Sequence, residues 1–155
     1  MIFLTVGTTM PFDELVEFVD QLKKAEHIKE DVLCQIGNGK YLPEACEYFR
    51  FRPGLNEYIE PASIVIGHGG TGTVLSMLNS GKKFIAVVNP RAADSHQSQF
   101  LSRMQLETDL LWTDDLSKLP DLINAAFASS HTVQKFSLPS LAADLRDFLL
   151  QSKKT

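Results

Sequence analysis

The chain has few of the residues that mark secreted or membrane-spanning proteins. Its two cysteines, Cys34 and Cys46, lack the C-x-x-C spacing of metal and redox sites, so we expect reduced structural thiols in a cytosolic protein. No apolar run approaches the roughly 18 residues that span a bilayer. Met1 leads directly into the apolar run at 2–4 without a basic segment, which predicts a first strand rather than a signal peptide. We therefore expect a cytoplasmic protein with no membrane span.

An excess of positive charge is also missing. The formal net charge is −4 at pH 7, which argues against non-specific nucleic-acid binding, because that binding needs a basic surface to displace counterions. Hydrophobic residues make up 44% of the chain and charged residues 22%, which is ordinary for a globular protein. We expect one domain over residues 1–155, long enough to bury roughly 70% of the surface of the unfolded chain.

Short apolar runs alternate with segments of helical spacing along the chain. The predicted strands lie at 2–6, 32–36, 48–51, 63–66, 84–88 and 110–112. The predicted helices begin at Asp13, at 55 as a short turn, at 73, at 95, at Asp114 or Asp115, and at 138. This alternation predicts a doubly wound α/β fold with a parallel sheet, in which ligands bind beyond the carboxyl ends of the strands. Those ends lie at 7–9, 37–39, 67–73 and 89–97, and glycines and small polar residues crowd at three of the four.

Four of the nine glycines lie at positions 67–72, between a predicted strand and a predicted helix. The spacing Gly67-x-Gly69-x-x-Gly72 matches a dinucleotide fingerprint, but the next strand ends at Asn89 without the carboxylate that would bind a ribose. A P-loop is excluded because no lysine follows Gly72. The helix beginning near Thr71 would direct its free N–H groups and its positive dipole end at an anion, for which phosphate is the natural choice. A plain strand–helix turn is the alternative.

The segment Asp94-Ser95-His96-Gln97 places hydrogen-bond donors and acceptors at one predicted helix start, as a sugar site requires. The alternative is an ordinary helix cap. A metal site made of His68, Asp94 and His96 is disfavoured because the spacing matches no zinc pattern. The position of His68 beside the glycine loop allows two roles: a contact with a bound phosphate, or a hydrogen bond to the neighbouring backbone.

In combination, these motifs resemble the carboxy-terminal, donor-binding half of family 28 glycosyltransferases. That family has a motif like H-[AG]-G-[AST]-G, a helix, G-K-P, a strand and D-x-x-Q, and here residues 68–72, 81–83 and 94–97 correspond. The start of the chain, at 6–9 and 12–15, is similar to the free-standing members, which are soluble subunits of two-component glycosyltransferases. The resemblance runs from residue 2 to about 106.

The resemblance implies a Rossmann-like half of a GT-B fold that binds a UDP-sugar without a cofactor or a metal. The acceptor site and the general base would come from a membrane-associated partner, which would recruit this chain to the inner face of the membrane. Bacterial exopolysaccharide synthesis is the preferred setting over the dolichol pathway. The predicted helix at about 138–151 is a candidate docking element, with packing against the domain's own core as the alternative. A homo-oligomer is an option for the chain alone. A non-catalytic nucleotide-sugar-binding or regulatory module is the alternative function.

The resemblance also assigns residues to subsites. The diphosphate subsite would comprise Gly7, Thr8, Thr9, Gly69, Gly70, Thr71, Gly72 and Thr73. Phe51, Arg52 and Ser76 would bind the nucleoside, and Asp94, His96 and Gln97 the donor sugar, with His68 a weak catalytic candidate. Two positions depart from the family: Ser76 stands where a glutamate commonly binds the ribose, and Lys83 replaces the proline of G-K-P. A neutral hydroxyl is a weaker acceptor than a carboxylate.

Overall fold

The structure, a computed structural model, describes residues 1–91 and 95–130. Its strands are β1 (Ile2–Thr5), β2 (Val32–Gln35), β3 (Glu47–Phe49), β4 (Ile64–His68), β5 (Phe84–Val87) and β6 (Leu111–Thr113). Its helices are α1 (Asp13–Lys24), α2 (Asn56–Ile59), α3 (Thr71–Ser80), α4 (Ser95–Glu107) and α5 (Leu119–Ala128). The predicted helix over 138–150 lies outside the described residues.

The six strands form one sheet in the order β3-β2-β1-β4-β5-β6, and every neighbouring pair is parallel. Strand β1 is central: Ile2 pairs with Val32 of β2 on one side and with Ile64 of β4 on the other. The strand order therefore reverses between β1 and β4, and the crevice at such a reversal is where open α/β sheets bind ligands. The predicted fold class is confirmed.

Side chains of the central strands alternate between two apolar cores. Ile2 and Leu4 of β1 point to one core, and Phe3 points to the other. The first core packs against α1 and α5, and the second against α2, α3 and α4. Because both faces of the sheet are covered, its strands are apolar almost without interruption. Within the part of the chain that the structure describes, no helix is both long and apolar enough to cross a membrane.

Several boundaries differ from the predictions by one or two residues, and two of these differences and one cap bear on the site. Helix α3 begins at Thr71, two residues earlier than the helical spacing indicated, because its first turn is made of small residues that carry no apolar pattern. Strand β3 ends at Phe49, so Phe51 lies beyond the sheet instead of within it. Of the two candidate caps before α5, Asp115 accepts the Ser117 N–H at 2.9 Å and caps a short 3₁₀ turn that leads into the helix.

The connection from β2 to β3 has no helix and is held to α1 by a buried carboxylate. Asp20 is 0% exposed and accepts the backbone N–H groups of Glu44, Ala45 and Cys46 and the Tyr41 hydroxyl, at 2.8–3.2 Å. Burial alone would raise the pKa of Asp20, but the hydrogen bonds from Tyr41, Ala45 and Glu44 outweigh it and lower the pKa to about 2. Both cysteines near this connection are buried free thiols.

Lys82, which matches the G-K-P pattern, and Lys83, which departs from it, both bind backbone carbonyls at helix ends. Lys83 Nζ donates to the carbonyl of Ala126 at 2.9 Å and to that of Ser129, at the end of α5. Lys82 Nζ donates to the carbonyls of Glu60 and Ala62, just after α2. A cation at the C-terminal end of a helix satisfies free carbonyls and opposes the negative dipole end. The substitution of the family's proline is thus accommodated by structural contacts.

Candidate functional site

The candidate site is the carboxyl edge of the sheet, where the loops after β1, β2, β4 and β5 meet at the strand-order reversal. Asn89, buried after β5, donates from Nδ2 to the Pro11 carbonyl at 3.2 Å and so joins the β5 loop to the β1 loop. Arg50 donates from Nη1 to the carbonyls of Gly37 at 3.0 Å and Gly39 at 2.8 Å, which holds the β2 loop. The edge is therefore a set of mutually tethered loops.

Gly7 is tethered through both of its backbone polar groups. Its N–H donates to Thr5 Oγ1 at 3.4 Å, and its carbonyl accepts from Gln35 Nε2 at 3.4 Å. Thr5 Oγ1 in turn donates to Gln35 Oε1, and both side chains are buried. The φ angle of Gly7 is +77°, in the left-handed region that favours glycine.

The imidazole of His68 occupies the space between two glycines of different loops. A Cβ atom at Gly7 would lie 2.7 Å from His68 Cε1, and one at Gly70 would lie 2.6 Å from His68 Nε2. Burial lowers the pKa of His68 below its usual value, so the ring is neutral near pH 7. Among residues 1–91 and 95–130, its buried Nδ1 atom has no hydrogen-bond partner. Both glycines are thus needed to admit this side chain.

The other glycines of the cluster have different surroundings. A Cβ at Gly67 would meet the Phe84 ring at 3.0 Å, and one at Gly69 would meet Leu101 Cδ1 at 2.8 Å. A Cβ at Gly72 would have nothing within 4 Å. Packing inside the protein therefore requires a small residue at Gly69 and Gly70, the two positions that the resemblance assigns to the diphosphate subsite.

Helix α3 begins at this loop with its N-terminus uncapped. Gly70 is the residue before the helix, and no side chain in the described part of the chain caps its N-terminal N–H groups. Thr71 and Gly72 are exposed and Thr73 is half-buried. Free N–H groups and the positive end of the helix dipole together favour an anion at such a position.

The start of α4 brings a second unpartnered polar atom to the glycine loop. Gln97 Cδ would lie 3.6 Å from a Cβ at Gly69, and Gln97 Oε1 is buried without a hydrogen-bond partner among the described residues. His96 is exposed at the same helix start. Asp94, the third residue predicted for this subsite, lies outside the described residues. A buried amide oxygen without a donor is rare in folded proteins, so this atom points to a bound ligand or water.

The residues predicted to bind the nucleoside are divided between two places. Phe51 is exposed beside Gly37, whose Cβ would lie 3.8 Å from the Phe51 ring. The Arg52 guanidinium lies 5.8 Å from the centre of the Phe49 ring, a distance suited to a cation–π contact. Ser76 is exposed on α3, on the other side of the strand-order reversal. Thr8 and Thr9 are exposed at the tip of the β1 loop.

Sequence reasoning assigned no role to three residues that shape this edge: Gln35, Arg50 and Asn89. The signal available in the sequence was their position, because each is a polar residue within two positions of the carboxyl end of a strand. Among residues 1–91 and 95–130, no three His, Cys, Asp or Glu side chains are grouped so that they could hold a metal ion; Asp94, part of the disfavoured metal set, lies outside those residues.

Comparison with known proteins relates the chain to glycosyltransferases. The model of the glycosyltransferase family 28 C-terminal domain matches residues 1–137. The chain is 33% identical over 122 residues to the human UDP-N-acetylglucosamine transferase subunit ALG13, covering 72% of this chain and 11% of that protein. It is 27% identical over 133 residues to the subunit of the same name from Yarrowia lipolytica, covering 74% of this chain and 65% of that one. The chain thus spans only part of the length of these relatives.

Two solved structures share the fold. The NMR solution structure of ALG13 superposes with a TM-score of 0.57 at 20% identity, over 84% of this chain and 90% of that one. The crystal structure of Acinetobacter baumannii MurG superposes with a TM-score of 0.57 at 20% identity, over 81% of this chain and 39% of that one. The shared fold is the Rossmann-like half of a GT-B architecture, as predicted.

Proposed function

The chain belongs to the glycosyltransferase family 28 C-terminal domain family, and on this basis we propose that it binds a UDP-sugar as the donor-binding subunit of a two-component glycosyltransferase. Since the relatives are UDP-N-acetylglucosamine transferase subunits, N-acetylglucosamine is the sugar that we propose. The observation that carries the site is a pair of buried atoms, His68 Nδ1 and Gln97 Oε1, which have no hydrogen-bond partner among the described residues and lie beside the glycine loop that opens α3.

The diphosphate would lie at the N-terminus of α3. The first N–H groups of the helix have no side-chain cap among the described residues, and Thr71, Gly72 and Thr73 would supply N–H groups and hydroxyls to phosphate oxygens. Each charge–dipole contact contributes on the order of 0.3–1 kcal/mol when exposed and up to about 2 when partly buried. Negative charge grows on the departing UDP as the sugar leaves, so donors fixed at this position would favour the transition state. The β1 loop, with its exposed Thr8 and Thr9, would contact the diphosphate from the other side of the crevice.

His68 would contact the diphosphate from its position between Gly7 and Gly70. Its ring is held by Gly7 and Gly70, and its pKa is lowered by burial, so it is neutral before a ligand binds. An anionic phosphate beside the ring would favour the imidazolium and raise that pKa. We propose that His68 takes up a proton on binding and stabilises the leaving group as a charged donor. It is a contact residue in this scheme, and the general base remains on the partner.

The sugar and the nucleoside would occupy the two sides of the diphosphate. The Gln97 amide beside Gly69 would bind a sugar hydroxyl, together with His96 and Asp94 at the start of α4. Phe51 and Arg52 after β3 would contact the base, and Ser76 would reach the ribose in place of the family's glutamate. No cofactor or metal takes part in this proposal.

The acceptor would come from a second polypeptide. We propose a membrane-associated partner that holds a lipid-linked acceptor and recruits this chain to the cytoplasmic face of the membrane, in exopolysaccharide synthesis. An assay of the reconstituted pair with undecaprenyl-linked and dolichol-linked sugars distinguishes this setting from a dolichol pathway.

Nucleotide binding to the full chain tests the donor site. We expect UDP and UDP-N-acetylglucosamine to raise the melting temperature and NAD to leave it unchanged; a ligand at 100 times its dissociation constant stabilises by about 2.7 kcal/mol. His68→Ala should weaken UDP binding, whereas His27→Ala, at an exposed position on the α1–β2 connection, should not. Stabilisation by NAD and not by UDP would contradict the proposal.

Transfer needs a separate measurement, because a non-catalytic module of the same fold would also bind UDP. The chain purified with its partner should release UDP from UDP-N-acetylglucosamine when a lipid-linked acceptor is added, and His68→Ala should slow that release. UDP binding without release for any acceptor tested would favour the non-catalytic module.

A further inference from the structure

We propose that Gln35 is a positioning residue, which orients the peptide after Gly7 so that the Thr8 N–H faces the diphosphate. This inference rests on the proposed function and concerns a residue that contacts no ligand in that scheme. Gln35 is the last residue of β2 and is 2% exposed. It lies beneath the β1 loop, at the edge where the strand order reverses.

The Gln35 amide uses both of its ends to hold Gly7. Its Oε1 accepts from the Thr5 hydroxyl, whose oxygen accepts the Gly7 N–H at 3.4 Å. Its Nε2 donates to the Gly7 carbonyl at 3.4 Å and to the Arg50 carbonyl at 3.4 Å. The hydrogen bonds form a closed ring through Gly7, Thr5 and Gln35. The direction of the Gly7 carbonyl is therefore set by a neighbouring strand and not by the loop itself.

The direction of that carbonyl determines the direction of the next N–H. The peptide between Gly7 and Thr8 is trans, and in a trans peptide the C=O and N–H bonds point in opposite directions. Because the Gly7 carbonyl points to Gln35 on β2, the Thr8 N–H points away from β2, to the side on which β4 and the start of α3 lie. In this direction the Thr8 N–H adds one hydrogen-bond donor to the free N–H groups at the start of α3, and all of them would bind the same diphosphate.

Two further contacts limit the movement of this loop. A Cβ at Gly37 would lie 2.9 Å from the Gly7 carbonyl oxygen, so the β2 loop packs directly against the held peptide. Asn89 Nδ2 binds the Pro11 carbonyl at the far end of the loop. The segment between these anchors, with Thr8 and Thr9 exposed, is thus fixed at both ends. A donor that is fixed before the ligand arrives loses little freedom on binding.

The test compares two probes, UDP and uridine, on the full chain carrying Gln35→Met. Methionine keeps the length of the side chain and removes every hydrogen bond of the Gln35 amide, including the bond that holds the Gly7 carbonyl. Loss of one hydrogen bond to a charged group should weaken UDP binding by about tenfold or more. Uridine carries no phosphate, so its dissociation constant, measured by NMR titration, should be unchanged. The matched control is Thr113→Val, which removes a buried side-chain contact to the loop after β6 and should leave both constants unchanged.

The outcomes separate this inference from the proposed function. If the unmodified chain binds no UDP, the proposed function fails and this inference fails with it. If the unmodified chain binds UDP, and Gln35→Met binds both probes as before or loses both equally, only the positioning role is overturned. If Gln35→Met does not fold, the NMR resonance of the Thr8 amide proton in the unmodified chain decides. A downfield shift of this resonance with UDP and no shift with uridine supports the positioning role. No shift with UDP overturns it.

Discussion

The buried carboxylate of Asp20 allows a quantitative prediction for the variant Asp20→Asn. The substitution keeps the shape of the side chain and removes its charge. The pKa of Asp20 is about 2 in the folded chain, against 3.8 for an unperturbed aspartate. Since one pKa unit corresponds to 1.36 kcal/mol, the ionised form contributes about 2 kcal/mol to the free energy of unfolding at pH 7. Asp20→Asn should lose about that amount.

The pH dependence follows from the direction of the pKa shift. The folded pKa lies below the unfolded value, so the contribution is complete above the unfolded pKa of 3.8 and is lost as the pH falls through about 2. At pH 3 the difference in unfolding free energy between the wild type and Asp20→Asn should therefore shrink to about half of its value at pH 7.

Urea unfolding at pH 7 and pH 3 measures this difference. Glu17→Gln is the control, because Glu17 is an exposed carboxylate on the same helix, and its removal should change stability by less than about 0.5 kcal/mol. A variant Asp20→Asn as stable as the wild type at pH 7 would refute the reasoning. A loss that keeps its full size at pH 3 would show that shape, and not charge, is what the loop at 40–46 requires.

Three further predictions concern the site and its supports. Gly7→Ala should lower the free energy of unfolding by about 2 kcal/mol, because φ is +77° and the new Cβ would meet His68. Gly72→Ala should raise it by up to about 1 kcal/mol, because a Cβ there meets nothing within 4 Å and Gly72 lies in a helix. Equal effects of the two variants in urea titrations would contradict this. Burial lowers the pKa of His68, so the unfolded chain takes up a proton at this histidine at a higher pH than the folded chain, and the free energy of unfolding should fall as the pH drops below about 6.5. His68→Gln should reduce this pH dependence in urea titrations between pH 7.5 and 5.5. An equal pH dependence in the variant and the wild type would argue against the lowered pKa. Lys83→Met should cost about 1 kcal/mol by releasing the carbonyls at the end of α5, and a circular dichroism melt that does not move would show that this cap is dispensable.

The fold was largely predictable because its local signals agree. The strand at 64–66 is apolar on both faces, and helix α1 carries its apolar residues at helical spacing after Asp13. Such patterns reveal parallel strands between helices, but they do not reveal the strand order. That order depends on pairings such as Ile2 with Ile64, which no local pattern records.

The site was predictable in outline and not in detail. The glycine loop and the polar residues after it were found from their spacing, and their roles stay predictions. What spacing could not show is why each glycine is required: Gly69 makes room for Leu101 from a helix some 30 positions away, and Gly70 for the ring of His68. Gln35 was visible only as one polar residue in an apolar strand. Its partner Gly7 lies 28 positions away, so the contact exists only in the folded chain.

The central position of β1 also constrains how the chain folds as it is synthesised. Residues 2–5 are made long before β4 at 64–68, although the two strands pair along their whole length. Until β4 emerges, β1 can pair only with β2 and keeps one edge unpaired, and an unpaired strand edge is a site of aggregation. We expect this pairing across about 60 residues to be a slow step of sheet assembly, since long loops must close before their contacts form. We expect variants that weaken β4 to aggregate during expression even when their folded forms are stable.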